Sequence, residues 1–408
     1  MMNVLVFTSL FPNNQSPNHG IFIQQRLKHS MARHGWIVKV VAPVPYYPPG
    51  LGGWRATYRK VAGHEVREGM EVWHPRYVMI PKIGMMLQGL LLFVSVCWKV
   101  RALQRSFPFA LIDAHYVYPD GFAAALLSWI TGVPVVVSAR GTDVNLFKNL
   151  PIIRQLITWT LRKADAVIVV SEALRQISIE LGVDEKKIRV IPNGVNPEKF
   201  FSIPQAEARK KIGFSREGQS LVLSVCHLNA NKGLDVLLHA LALLSEKAST
   251  LLWSLYVVGE GVERERLECL VQSLDLSERV RFCGEVPHEQ LVWFYNAADV
   301  CCLLSEREGW PNVIVESLAC GTPVLATSVG GIPEIVTSPK VGTLVARKPE
   351  HVATALKTSL ERTWSKSEIL KYAQQFRWSQ TADAVKEVFQ FVLTVQGTTC
   401  RKHFSSGS

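Results

Sequence analysis

The feature that most restricts the fold is a regular alternation of short apolar runs with helical segments along almost the whole chain. Val4–Thr8, Ile37–Ala42, Leu111–Ala114, Val133–Ser138, Ala166–Val170 and Ile188–Ile191 form a first set of strand-like runs. Leu221–Cys226, Trp253–Val258, Val280–Cys283, Val300–Leu304, Pro323–Ala326 and Gly342–Val345 form a second. Strands that alternate with helices give parallel sheets covered by helices. Two sets predict an α/β protein with two facing Rossmann-like domains, residues 1–196 and 197–370, joined by a linker near Asn196–Pro204. Residues 371–395 read as C-terminal helices packing back toward the first domain, and 396–408 as a polar, disordered tail. Ligands of such sheets bind at the carboxyl ends of the strands, so facing domains would share one cleft.

Composition narrows the function. A chain of 408 residues with 48% hydrophobic side chains holds two cores of ordinary size. Its eight cysteines lack any Cys-x-x-Cys pair, which suits a reducing cytosol and excludes a zinc site. MMNVLVFTSLFP has no basic leader and reads as a first buried strand, not a signal peptide. Ile83–Val100 is apolar enough to approach a membrane span, but Gln88 and Lys99 interrupt or bound it, so a buried or interfacial helix is expected.

The net charge of +11 is unevenly distributed. Residues 1–196 hold 22 Lys and Arg against 11 Asp and Glu, whereas residues 197–408 hold 23 of each. Arg55, Arg59, Lys60, Arg67, Arg76, Lys82, Lys99, Arg101 and Arg105 cluster around the apolar run. Basic residues beside apolar surface suit an anionic membrane face or an acidic acceptor; an ordinary solvated face accounts for them equally well. Nucleic acid is excluded as a partner, because zinc-finger spacing, an aromatic RNA-binding signature and a recognition helix are all missing.

The most informative stretch is SEREGWPNVIVESLACGTPVLATSVGGIPEIV, Ser305 to Val336. Pro311 suits a first helical turn, Asn312 to Cys320 reads as a short helix, and Gly321 stops it. A strand, the pair Gly330-Gly331 and a helix opening at Ile332 follow, a combination that presents N–H groups to an anion. Glu308 precedes the first helix and Glu316 lies within it. At a helical rise of 1.5 Å per residue they stand roughly 12 Å apart. Two carboxylates flanking an anion site suit a ligand with hydroxyls at both ends and phosphate between them, as in a nucleotide-sugar. Spacing alone would not carry this reading, since glutamates near helix starts commonly serve the dipole.

Other residues fall just beyond strand ends. Gly20 closes a polar loop after the first strand, either as a turn glycine or to bring backbone N–H groups against a phosphate. His115 follows a strand, where it either reaches a sugar hydroxyl or a reacting group, or is structural. Asp143 either orients a polar ligand or caps the segment after it. His227 and Lys232 follow the first strand of the second set, and Lys232 beside Gly233 suits contact with a diphosphate. Gly259-Glu260-Gly261 lacks the third glycine of a dinucleotide fingerprint and reads as a turn near a base.

The chain resembles GT-B glycosyltransferases of the large retaining family 4 up to about Val395. The residues that carry the likeness are Glu308-Gly-Trp-Pro-Asn-Val-Ile-Val-Glu316, Ala319-Cys-Gly-Thr-Pro-Val and Gly330-Gly-Ile-Pro-Glu334. Pro192-Asn193-Gly-Val195, Lys232-Gly233 and the loop ending at Gly20 support it. The resemblance implies that Glu308 holds donor-sugar hydroxyls, with Gly309, Asn312 and Val313 lining the same site, and that Glu316 binds the ribose. It implies that Gly20, Lys232 and the backbone of Gly330, Gly331 and Ile332 hold the diphosphate, and that His115 sits beside the reacting centre. It places Asn193 and Gly259 at the margin of the site. It further implies a retaining transfer with no metal and no other cofactor, onto a glycan or lipid-linked acceptor. The N-terminal half is similar to bacterial enzymes of cell-surface polysaccharide synthesis, at the cytoplasmic face of the membrane. One departure stands out: Cys226-His227-Leu228 replaces the Gly-Arg-Leu of many relatives, which removes a diphosphate-binding arginine. The rivals are a nucleotide-sugar epimerase, which needs no acceptor, and a non-catalytic sugar or anionic-lipid binding module, which releases no nucleoside diphosphate.

Overall fold

The computed structural model describes residues 1–48, 54–79, 85–145, 150–248 and 250–405. The chain divides into two compact units, residues 1–193 with 378–408, and residues 194–377.

Among its described residues the first unit has ten strands: β1 Asn3–Phe7, β2 Ile37–Val41, β3 Val44–Tyr46, β4 His64–Arg67, β5 Met70–Trp73, β6 Arg76–Val78, β7 Leu111–His115, β8 Val135–Ala139, β9 Ala166–Val169 and β10 Ile188–Val190. Eight form one sheet in the order β10-β9-β8-β7-β1-β2-β5-β4, and β3 pairs with β6 apart from it. All neighbours run parallel except the edge strand β4, which is antiparallel to β5. The central strands are buried on both faces, which is why β1 and β8 read as unbroken apolar runs instead of alternating ones. The six expected strands of this half are present. Four more, β3 to β6, were not expected. They are three or four residues long, and sequences such as HEVR and RYV carry no apolar period.

These short strands also reassign part of the basic cluster. The Arg76 guanidinium donates to the carbonyls of Tyr58 at 2.5 Å and Val61 at 2.6 Å. The Lys99 ammonium stands 4.6 Å from the Trp73 ring centroid. Both cations serve the fold. Lys82 and Ile83 lie outside the described residues.

A long helix, Trp378–Ser405, returns to the first unit. Its Val385, Val388, Phe389 and Val392 join Val4, Val6, Ile23, Leu27 and Trp36 in one core. Phe389 stacks on Trp36 with centroids 5.1 Å apart. Arg33 clamps Asp383 through Nε–Oδ1 at 2.5 Å and Nη2–Oδ2 at 2.7 Å. The disorder expected from residue 396 onward is corrected for 396–405, where the helix continues. A helix already nucleated gains a backbone bond with each added residue, and the single Gly397 is a weak breaker.

The second unit holds β11 Ser220–Val225, β12 Trp253–Val258, β13 Val280–Gly284, β14 Val300–Leu303, β15 Val324–Thr327 and β16 Gly342–Val345. All six were expected. Their order, β13-β12-β11-β14-β15-β16, is that of a dinucleotide-type sheet, with the direction of winding reversing between β11 and β14. The same reversal in the first unit lies between β1 and β7. Chains leaving these strand pairs diverge, and each reversal opens a crevice at the carboxyl ends.

Truncation of Phe389 tests whether the last helix is integral to the first core. Phe389→Ala should cost about 3–5 kcal/mol, the usual loss for a fully buried phenyl ring, and urea unfolding followed by tryptophan fluorescence measures it.

Candidate active site

The reversal between β11 and β14 brings Lys232 and Glu308 together. β11 ends at Val225, and its connection winds through a tight turn, Ala230–Lys232, before the helix Leu234–Lys247. β14 ends at Leu303, and Glu308 lies in the loop before the helix Asn312–Ala319. The Lys232 ammonium donates to Glu308 Oε1 at 2.5 Å, and Ser305 Oγ donates to the same oxygen at 2.6 Å. The carboxylate is largely withdrawn from water, with 11% of its side chain exposed.

Backbone contacts fix this approach. Glu306 N–H donates to Asn231 O at 2.8 Å, and Asn231 Nδ2 donates to Arg307 O at 3.0 Å. A Cβ on Gly233 would lie 2.2 Å from Leu304 O, so only glycine lets the two loops touch, and its φ of +67° favours glycine as well. Sequence reading missed Arg347, just beyond β16. Its Nε donates to Leu304 O and its Nη2 to Ala230 O, both at 3.0 Å, tying the loops together beside Lys232. No motif marks Arg347; only its place after the last strand pointed toward the crevice.

Gly330 and Gly331 have a different job from the one expected. A Cβ at Gly330 (φ +54°) would fall 2.0 Å from Glu308 O. Gly331 N–H donates to Gly309 O and Ile332 N–H to Val329 O, each at 3.1 Å. Of the three amides expected at a diphosphate, that of Gly331 therefore holds the turn against the Glu308 loop and that of Ile332 closes the turn on itself. The glycine pair positions Glu308 before it can bind anything. Asn312 and Val313, half-buried, open the next helix.

Glu316 is on the inner side of that helix and is 7% exposed. Tyr295 donates its hydroxyl to Oε2 at 2.9 Å, and His288 Nε2 meets Oε1 at 2.8 Å. Phe200 packs against both rings. Burial opposes a charge on His288, but the Glu316 carboxylate outweighs it and raises the imidazole above its ordinary value. His227 is exposed at the end of β11. Gly259 explains itself locally, since a Cβ there would fall 1.9 Å from Cys226 O.

In the first unit the residues singled out are engaged by neighbouring protein groups. His115 is fully buried: its Nε2 pairs with Asp113 Oδ2 at 3.2 Å, and its Nδ1 accepts from Arg140 Nη2. Burial, with the nearby Arg140 and Arg26, pushes the imidazole down to about 3 against the pull of Asp113, so it is neutral. Both ring nitrogens are thus engaged by neighbouring side chains. Asp113 is bound by Arg26 Nη2 at 3.1 Å, and Arg140 Nη1 donates to Asn193 Oδ1 at 3.0 Å. Asp143 accepts backbone N–H groups from Val117, Arg140 and Gly141. These amides lie before Asp143 and in the connection after β7, so the carboxylate ties two connections together and does not cap the segment after it. Gly20 is likewise a packing glycine, whose Cβ would lie 2.3 Å from Leu10 O. Sequence reading missed Asp120, which accepts from Ser9 N–H at 2.8 Å and Ser9 Oγ at 2.9 Å. Full burial lifts its carboxyl to about 7. Among the described residues no cluster of three His, Cys, Asp or Glu side chains is arranged to hold a metal ion.

Residues 205–376 match the family model described as Glycosyl transferases group 1, and residues 23–194 match the Glycosyl transferase 4-like domain. TuaC of Bacillus subtilis strain 168, a glycosyltransferase assigned to teichuronic acid biosynthesis, is 28% identical over 81% of this chain and 82% of its own. The D-inositol 3-phosphate glycosyltransferase of Acidothermus cellulolyticus is 31% identical over 57% of this chain, a stretch covering 54% of that protein. Among solved structures, sucrose-phosphate synthase from Thermosynechococcus elongatus superposes with a TM-score of 0.72 at 21% identity over the full length of both chains. HepE of Anabaena, solved with UDP and glucose, gives 0.72 at 20% identity over 96% of this chain and 99% of its own.

Two measurements probe the site. Gly330→Ala forces the Glu308 loop to move and should abolish the thermal shift that a nucleotide-sugar gives the wild type, while far-UV circular dichroism is retained. The raised pKa of His288 stabilises the fold fully below its unfolded value near 6.5 and is lost as pH rises through the higher folded value. The melting-temperature gap between wild type and His288→Gln should therefore be widest at pH 6 and narrow toward pH 8.5.

Proposed function

We propose that this chain, a glycosyltransferase of the GT-B fold with a 4-like N-terminal domain and a group 1 C-terminal domain, is a retaining hexosyltransferase. It moves a hexosyl unit from a nucleotide-sugar to a hydroxyl of a glycan or lipid-linked acceptor, in cell-surface polysaccharide synthesis on the cytoplasmic side of the membrane. The observation that carries this reading is the Lys232–Glu308 pair at the β11/β14 reversal, a cation and a carboxylate poised at the place where sheets of this order bind nucleotides.

A diphosphate entering the crevice offers Lys232 a stronger partner than one carboxylate oxygen. As Lys232 turns to the phosphate, Glu308 stays anchored by Ser305 and exchanges the ammonium for sugar hydroxyls. Glu316 keeps one protein partner per oxygen, and each carboxylate oxygen has two lone pairs, so capacity for two ribose hydroxyls remains. In the transfer, the bond from the anomeric carbon to the phosphate oxygen breaks and the acceptor oxygen bonds that carbon on the same face. The acceptor's proton passes to the departing diphosphate. Lys232 meets the charge that grows on the leaving group, with Arg347 fixing the loop that holds it, and no metal ion is needed. In the acceptor-side unit, the neutral His115 and the Arg140–Asn193 contact shape the polar floor at the ends of β7 and β8.

Glu308→Ala should lower kcat/KM about 100-fold, as loss of a charge-assisted hydrogen bond of about 3 kcal/mol implies, with the far-UV circular dichroism of the wild type. Release of nucleoside diphosphate from a panel of nucleotide-sugars with candidate acceptors reads it out. Turnover near that of the wild type would remove Glu308 from the donor site.

A further inference from the structure

Three neighbouring helices of the first unit, Gln88–Ser106, Phe122–Thr131 and Pro151–Lys163, form a face with an unusual make-up. The first two are joined where Phe122 lies against Gly89 and where Gln104 Nε2 donates to Thr131 O at 2.9 Å. Phe122 also meets Trp159 of the third at 5.1 Å. Gly89, Leu92, Val96, Val100 and Leu103 bury one side of the first helix. Its other side leaves Leu90, Val94 and Trp98 in water, Trp98 with 77% of its surface exposed. Trp129 on the second helix is 82% exposed, and Ile152 on the third 53%.

The charges around this apolar surface have one sign. None of the three helices contains an Asp or Glu. From Val72 to Ala164 the only acids are Asp113, Asp120 and Asp143, and all three are buried. Arg101, Arg105, Arg154 and Lys163 are exposed on these helices. The first unit as a whole holds 25 Lys and Arg against 13 Asp and Glu, a balance of +12, whereas the second holds 20 against 21.

We infer that this three-helix face docks the protein onto an anionic lipid bilayer. Tryptophan side chains favour the boundary between headgroup and acyl chain, leucine and valine enter the acyl layer, and arginine and lysine meet the lipid phosphates. A protein partner of ordinary composition would leave an acid-free face this basic without matching charge, whereas an anionic leaflet supplies it everywhere. No described helix is long and apolar enough to cross a membrane, so the contact is peripheral. The inference deepens the lipid-linked branch of the proposed function but stands on the face alone.

Sedimentation of the full chain with vesicles tests it. Binding is expected to vesicles of phosphatidylcholine mixed with phosphatidylglycerol, to be weak with phosphatidylcholine alone, and to fall with added salt. Arg101→Gln with Arg105→Gln should reduce the partition coefficient about 30-fold, and Trp98→Ser with Trp129→Ser about 10-fold or more. These side chains are exposed, so the variants should melt with the wild type and keep its thermal shift with nucleotide-sugars. Equal binding to both vesicle types, or full retention by both variants, overturns the inference. So does a dimer in solution that the tryptophan variant converts to monomer, which would make the face a subunit interface. Loss of nucleotide-sugar binding in Glu308→Ala reports on the donor site alone, so the two ideas fail separately.

Discussion

A carboxylate that is mostly withdrawn from water must be matched by a cation, and the rest of the donor-side site follows from meeting that demand at Glu308. The match is Lys232, 76 residues earlier in the chain. Bringing them within 2.5 Å requires the loops after β11 and β14 to touch along their backbones. Such contact has no room for a Cβ at Gly233 or Gly330, and both positions also need positive φ. Arg347 then fastens the carbonyls that these loops leave unpaired. The glycines, the lysine, the serine and the arginine are thus one solution to a single electrostatic problem. The pair that results is preorganised yet exchangeable, because each partner can trade the other for a ligand group.

The first unit meets the same problem in the opposite way. Arg26, Asp113, His115, Arg140 and Asn193 bind one another inside the protein, and the connection after β7 passes through Tyr116 at φ +80°, a conformation that a non-glycine residue adopts only under constraint. A buried network of this kind is stiff. It fixes the shape of the crevice floor and offers ligands a surface whose polarity is set in advance. Two sheets of similar winding therefore present different chemistry at their reversals: a salt bridge that can open, and a network that is already closed.

That contrast marks what could be read from the chain. The twelve expected strands are all present, and the central ones were legible because parallel strands buried on both faces are apolar throughout. The order of the second sheet's motifs gave the positions of Lys232, Glu308, Glu316 and the glycine pair. Partners were not legible. Whether His115 faces a ligand or Arg140 depends on where residues 25 positions apart come to rest, and strand-end position is common to both outcomes. The amides of Gly331 and Ile332 look available in sequence, yet they are consumed by Gly309 and Val329. Arg347 had only its place after the last strand, and an arginine there is ordinary. The strands β3 to β6 escaped because three or four residues, with a charge in β4, β5 and β6, have no period to detect.

The apolar run near residue 90 shows how far composition carries and where geometry must take over. Its hydrophobicity alone is consistent with a spanning helix, a core helix or an interfacial one. Placing the residues around the helix axis separates the three. A core helix sequesters nearly all its apolar side chains, and a spanning one has no polar termination over about 20 residues. Here one side is spent on the sheet, while Leu90, Val94 and Trp98 remain outside, continuing into Arg101 and Arg105. The first core is already complete without those outer residues, so the fold's stability does not require them. Apolar surface that the core does not need, edged by charge of one sign and lacking any compensating acid, is surface directed at something outside the chain.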